Sequence, residues 1–124
     1  MSIIVNRETT VLVQGITGKE GSFHATKCLE YGTKIVGGVT PGKGGMKVLG
    51  NLEVYENMNI AVKETQANTS LVFVPPAYSP DAIFESIDAG IETIIVIAEG
   101  IPISDTLKVL KKIRSEQSVR LIGP

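Results

Sequence analysis

Leu71-Val72-Phe73-Val74 and Ile94-Ile95-Val96-Ile97 are apolar at every position. Runs of this length are too short for buried helices, and they lack the alternation of a strand with one wet face. They suit strands covered on both faces, the condition of a parallel sheet. With their flanks they read as strands at Ser70–Val74 and Thr93–Ile97, and three further β-branched runs lie at Thr10–Val13, Lys34–Val36 and Val119–Ile122. Helical patterns fall between them, at about Glu20–Tyr31, Asn59–Gln66, Pro80–Ala89 and Asp105–Glu116. Ser79 is placed to cap the third helix, Pro80 suits its first position, Asp81 favours its positive end, and Gly90 stops it. Gly32 stops the first helix in the same way. Strands alternating with helices predict an α/β fold, a Rossmann-like open parallel sheet of about five strands. The expected strand order is 3-2-1-4-5, with helices on both faces. No internal repeat or linker divides the chain, so residues 1–124 read as a single domain.

In such sheets ligands bind beyond the carboxyl ends of the strands, near the point where strand order reverses. Four segments should meet there: Gly15–Gly21, Gly37–Gly45, Pro75–Ser79 and Ala98–Pro102. All are rich in Gly or Pro. The first, Gly15-Ile16-Thr17-Gly18-Lys19-Glu20-Gly21, spaces its glycines G-x-x-G-x-x-G between a strand and a helix. A helix N-terminus carries partial positive charge and unpaired N–H groups, so this turn is a candidate phosphate site. Thr17 offers it a hydroxyl and Lys19 a charge.

The second segment, GGVTPGKGG, holds five glycines, one lysine and no acid. It follows most of a nucleotide-triphosphate loop pattern, but Gly44 stands where Ser or Thr would hold magnesium, and the glycines beyond disfavour a helix start. ATP hydrolysis is therefore not expected of it. An NAD domain normally has an acid at the end of its second strand for the ribose hydroxyls. Here that position falls in Gly37–Pro41 without a carboxylate, and Lys43 follows. The ligand expected is one with additional negative charge where NAD has a neutral diol.

The remaining composition narrows the partners. Twelve basic against thirteen acidic residues leave a net charge of −1, with no global field for nucleic acid. The chain has no Trp and only 5% aromatic residues, so base-stacking platforms are not expected. No apolar run approaches the roughly 18 residues of a membrane span, and MSIIVNRETT lacks signal-peptide features. The single cysteine, Cys28, precludes an internal disulfide and suits a reducing compartment.

GITGKEGSFH, YGTKIVGGVTPGKGG, VPPAYSPDAIFESIDAGI and IAEGIP, in this order, closely resemble the α subunit of succinyl-CoA synthetase (succinate–CoA ligase) along essentially the whole chain. The resemblance implies the N-terminal CoA-binding domain of a ligase of the tricarboxylic acid cycle. It implies coenzyme A as the ligand, no metal in this domain, and a β subunit as partner in the full enzyme. Related NDP-forming acyl-CoA synthetases and ATP-citrate lyase share the domain and are a near alternative. By resemblance, Gly15, Thr17, Gly18, Lys19 and Glu20 meet CoA from the first loop, and Val39, Pro41 and Lys43 from the second. Phe73, Val74 and Pro75 line the apolar part, and Ile97, Ala98 and Glu99 close the far side.

In the family reaction succinate is phosphorylated, CoA attacks, and a histidine carries the phosphoryl group to or from a nucleoside diphosphate. That histidine belongs to a second domain, whereas His24 sits early in the first helix and reads as structural packing. Cys28 reads as a small apolar core residue. With no other His or Cys, His24 and Cys28 cannot close a zinc site. The last helix carries Lys108, Lys111, Lys112 and Arg114 as a solvated face. The chain stops at Gly123-Pro124, where the family continues into its ligase domain. The expectation is thus an isolated domain that binds CoA without turnover and presents a surface on which copies could pair. It would be cytoplasmic in a bacterium, or in the mitochondrial matrix of a eukaryote. The alternative from another class is a non-catalytic Rossmann module that senses NAD or an adenine nucleotide.

Overall fold

The computed structural model describes residues 9–96 and 120–122. Its strands are β1 (Val11–Gln14), β2 (Ile35–Val39), β3 (Lys47–Val48), β4 (Leu52–Tyr55), β5 (Thr69–Val72), β6 (Thr93–Val96) and β7 (Arg120–Ile122). The helices are α1 (Lys19–Glu30), α2 (Met58–Thr65) and α3 (Ser79–Asp88). Among the described residues the sheet runs β3-β4-β2-β1-β5-β6-β7, parallel throughout except for β3, which pairs antiparallel with β4 at one edge. The helix expected at Asp105–Glu116 lies outside the described residues.

The Rossmann-like class is thus observed, with one reassignment inside it. Counting the parallel strands along the chain, the order 3-2-1-4-5 is present, and β7 extends it. The third place, however, belongs to Leu52–Tyr55 and not to the run at Ser70–Val74, which pairs with β1 on its other side. β4 was missed because it is mostly half-buried and lacks a continuous apolar run, and only the two-residue β3, with no helix, separates it from β2.

Crossovers explain the layering. From β1 the chain steps one way, through α1 to β2, and from β5 it steps the other way, through α3 to β6. Right-handed connections running in opposite directions place their helices on opposite faces. Two cores result. Leu12, Val39, Val72, Ile94 and Val96 pack with Met58 and Ala61 of α2 and Ala82, Ile83 and Ile87 of α3. Val11, Val13, Ile35, Val54 and Leu71 pack with Ile16 and with Ala25 of α1. Neighbouring strand residues go to different cores, as the two-residue period of a strand requires.

The core also contains a polar knot. The buried Gln14 carboxamide oxygen accepts from the hydroxyls of Ser70 and Ser86 at 2.5 and 2.6 Å, while its Nε2 donates to the Ala82 carbonyl at 3.1 Å. Each polar atom of this side chain is satisfied, so burial carries no unpaired-group penalty. The knot ties α3 to β1 and β5, and its Gln14 and Ala82 also line the cleft described below.

Helix ends follow local chemistry. Asn57 caps α2, its side chain accepting from the Ile60 N–H at 2.9 Å, and starts the helix earlier than the expected Asn59. Ser79 is inside α3 and not its cap, because a 3-10 turn at Pro76–Tyr78 runs straight into the helix and shifts the cap to Tyr78. Gly32 and Gly90 follow α1 and α3 with φ of 88° and 92°, as the stop signals implied.

Candidate functional site

Strand register brings the site together. Gln14 lies opposite Val39 of β2 on one side and Val72 of β5 on the other, so three strands end level. The chain leaving each of them, at Gly15, Thr40 and Phe73, therefore emerges at one rim. The Gly15 N–H donates to the Val39 carbonyl at 2.9 Å, and the Phe73 N–H to the Gln14 carbonyl at 2.9 Å, closing the rim.

Above it opens a cleft of about 600 Å³. Its walls include Gly15, Thr17, Gly18, Val39, Pro41, Phe73, Val74 and Pro75, all expected at the site. Thr17 and Thr40 join the two glycine loops through a hydroxyl–hydroxyl hydrogen bond of 3.1 Å. Lys19 and Glu20 follow Gly18 directly but do not line the cleft; Glu20 lies along α1 and meets His24 Nε2 at 3.4 Å. Lys43 is exposed on the second loop, likewise outside the cleft walls. Ile97, Ala98 and Glu99 lie outside the described residues, as do the Ala98–Pro102 segment and Lys108, Lys111, Lys112 and Arg114.

α1 begins at Lys19 with Gly18 as its cap, and among the described residues there is no side-chain cap hydrogen bond. This twelve-residue helix thus points an uncapped N-terminus at the cleft wall formed by Thr17 and Gly18. Unpaired donors and the helix dipole favour an anion there. The glycines at both ends of the turn are needed for close contact. Gly15 has φ of 84°, and a Cβ on it would collide with the Phe73 carbonyl oxygen. A Cβ on Gly21 would collide with the carbonyl oxygen of Gly15, so the helix can sit this close only without side chains.

The helical part of the opposite wall was not anticipated: Asp81, Ala82 and Glu85 of α3 line the cleft, as does Gln14, beside Tyr78 and Thr40 of the segments expected to meet there. The helical spacing of 78, 81, 82 and 85 was the available signal, since such residues share one face. Glu85 is already engaged, accepting from the Met58 N–H at the start of α2 at 3.1 Å. Asp81 is exposed in the first turn of α3.

His24 stacks on Phe73 with ring centroids 4.9 Å apart and meets Phe23 edge-on at 5.3 Å. That is the packing role expected of it, and it backs a residue of the cleft wall. Cys28 is half-buried against the α1-side core, and burial raises its thiol above the ordinary value of 9.0. An acid group raised in this way stays protonated longer in the folded state than in the unfolded one. Its stabilising contribution is therefore present below the unfolded pKa and is lost as pH rises through the folded one. Reaction with Ellman's reagent across pH should show a midpoint above that of a free cysteine peptide. A midpoint at or below the peptide's would contradict the burial. Among the described residues no group of three or more His, Cys, Asp or Glu side chains is placed to hold a metal ion, and no helix is long and apolar enough to cross a membrane.

Comparisons with known proteins bear on this cleft. The family model for the CoA binding domain matches residues 6–100. The chain is 54% identical over 125 residues to the α subunit of succinate–CoA ligase (ADP-forming) of Aquifex aeolicus, a match covering 100% of this chain and 41% of that protein. It is 43% identical to the malate–CoA ligase α subunit of Methylorubrum extorquens, covering 100% of this chain and 43% of the relative. The chain thus spans about two fifths of the length of these relatives. Among solved structures, a myo-inositol 2-dehydrogenase from Lactobacillus plantarum superposes with a TM-score of 0.72 at 16% identity, over 94% of this chain and 36% of that one. A Rex-family repressor, RSP, does so with a TM-score of 0.66 at 17% identity, over 94% and 52%. Identities this low establish a shared fold only.

Proposed function

The chain belongs to the CoA binding domain family, and from that premise we propose that it holds coenzyme A in the cleft above β1, β2 and β5. The uncapped N-terminus of α1 beside Thr17 and Gly18 carries this reading, because it offers main-chain donors to a phosphate. In this arrangement Gly15, Thr17 and Gly18 receive the diphosphate, with the main chain of Lys19 and Glu20 completing the turn. Val39, Pro41, Phe73, Val74 and Pro75 supply apolar walls for the less polar parts of the ligand. Lys43 meets an additional phosphate at the rim.

The domain serves, in our reading, as the CoA-binding part of a succinate–CoA ligase α subunit working with a β subunit. The phosphoryl-carrying histidine is assigned to a further domain. Support comes from the 54% identity over the whole chain to one such α subunit. Malate remains the competing acid, since a malate–CoA ligase α subunit is 43% identical.

Calorimetric titration with CoA, dephospho-CoA, NAD and ATP tests the ligand. CoA is expected to bind most tightly and dephospho-CoA about tenfold or more weakly, since a charge-assisted contact is lost. NAD is expected to bind weakly, because the segment that ends β2, Gly37–Pro41, carries no carboxylate of its own for the ribose. Tighter binding of NAD than of CoA would replace this reading with a nucleotide-sensing one.

A further inference from the structure

The glycine loop after β2 is not the open nest of amides that its sequence suggests. Glu56, the residue after β4, sends its carboxylate into the loop. Its Oε2 accepts from the Gly42 N–H at 2.6 Å and its Oε1 from the Gly44 N–H at 3.2 Å. The two contacts straddle Lys43. The Lys43 N–H donates to the Thr40 carbonyl at 3.1 Å, Gly45 to Val54 at 2.9 Å, and Met46 back to Lys43 at 3.3 Å. Every amide from Gly42 to Met46 is thereby engaged within the protein. A Cβ on Gly44 would come within 3.0 Å of the carboxylate, so glycine at this position admits the acid.

We propose that Glu56 is a positioning residue for Lys43: it fills the main-chain anion site of the loop and leaves the lysine ammonium as that loop's contact with a ligand phosphate. The proposal rests on the coenzyme A reading above. A nest of main-chain N–H groups binds an anion whichever molecule supplies it. Here the protein supplies its own, through charge-assisted bonds stronger than neutral ones. The loop is then ordered before the ligand arrives, and the conformational cost of ordering it is removed from binding. A carboxylate near an incoming phosphate also repels it, but between exposed groups in water this amounts to roughly a twofold effect. Ordering of the loop outweighs that.

The test is a thermodynamic cycle in CoA affinity among wild type, E56A, K43A and the double variant, with E56Q as a graded case. E56A should weaken CoA binding about five- to tenfold, in line with the cost of ordering a loop and its side chain. E56Q keeps one acceptor oxygen and should fall between E56A and wild type. In the K43A background E56A should change affinity less than about twofold, the coupling expected of residues acting as one unit. In ligand-free protein the Gly42 and Gly44 amides should exchange with solvent faster in E56A than in wild type. Equal weakening by E56A with and without Lys43 would reduce Glu56 to general structural support and overturn the proposal. So would tighter CoA binding in both neutral variants, which would make the carboxylate an obstacle. Wild-type protein that does not take up CoA overturns the ligand reading and this role with it, whereas normal wild-type binding with uncoupled variants overturns this role alone.

Discussion

K43A is expected to weaken CoA binding roughly 10- to 100-fold. The ammonium is exposed on a loop whose own amides are engaged, and among the described residues it forms no ion pair. It therefore has its full charge to give to a phosphate. A hydrogen bond to a charged group contributes about 1.5–3 kcal/mol, which converts to the stated range. The loss should shrink as salt is raised, because the contact lies at the rim and is screened. Lys34 provides the control: it is exposed at the opposite end of β2, so K34A should leave CoA affinity unchanged. Titration calorimetry at two ionic strengths measures both. Equal behaviour of K43A and K34A would remove Lys43 from the site.

Gly15→Ala is expected to be the most damaging small substitution among those considered. Alanine would have to adopt a φ of 84°, a conformation that L side chains rarely take, and its methyl would strike the Phe73 main chain and approach Val74 Cγ1 at 3.2 Å. Backbone strain of about 1–3 kcal/mol and overpacking of similar size combine to a loss of about 2–6 kcal/mol. Gly32 separates the two causes. It has φ of 88° and nothing within 4 Å of a Cβ, so G32A should lose only about 1 kcal/mol from strain. Urea unfolding reads the difference as a shift in midpoint at constant m-value. A G15A protein as stable as G32A would mean that the turn has room to spare. Because Gly15 joins β1, β2 and β5 at the cleft, CoA binding should be lost along with stability.

Much of the architecture was legible because it depends on local pattern. The fully apolar run at Leu71–Val74 marks an interior strand position, with β5 lying between β1 and β6. Gly32 and Gly90 mark helix ends through their own backbone freedom. The G-x-x-G-x-x-G segment was legible as a tight turn from β1 into α1 because its glycines lie within seven consecutive residues. β4 was not, since its residues Leu52–Tyr55 are mostly half-buried with a charge among them, and no helix separates it from β2 to announce it. The cap of α3 was misassigned by one residue because the preceding 3-10 turn merges with the helix.

Composition and spacing alone established an α/β sheet with glycine turns at its carboxyl rim, because strand burial and backbone permissiveness are written in residue type. Which strands lie side by side, and hence which loops share a rim, needed the tertiary structure. The β2–β4 pairing carries Glu56 to amides 12 and 14 residues away in sequence. No local signal announces that an acid outside a loop will fill it. Contacts between distant segments follow from register across the sheet, and register is a property of the assembled fold.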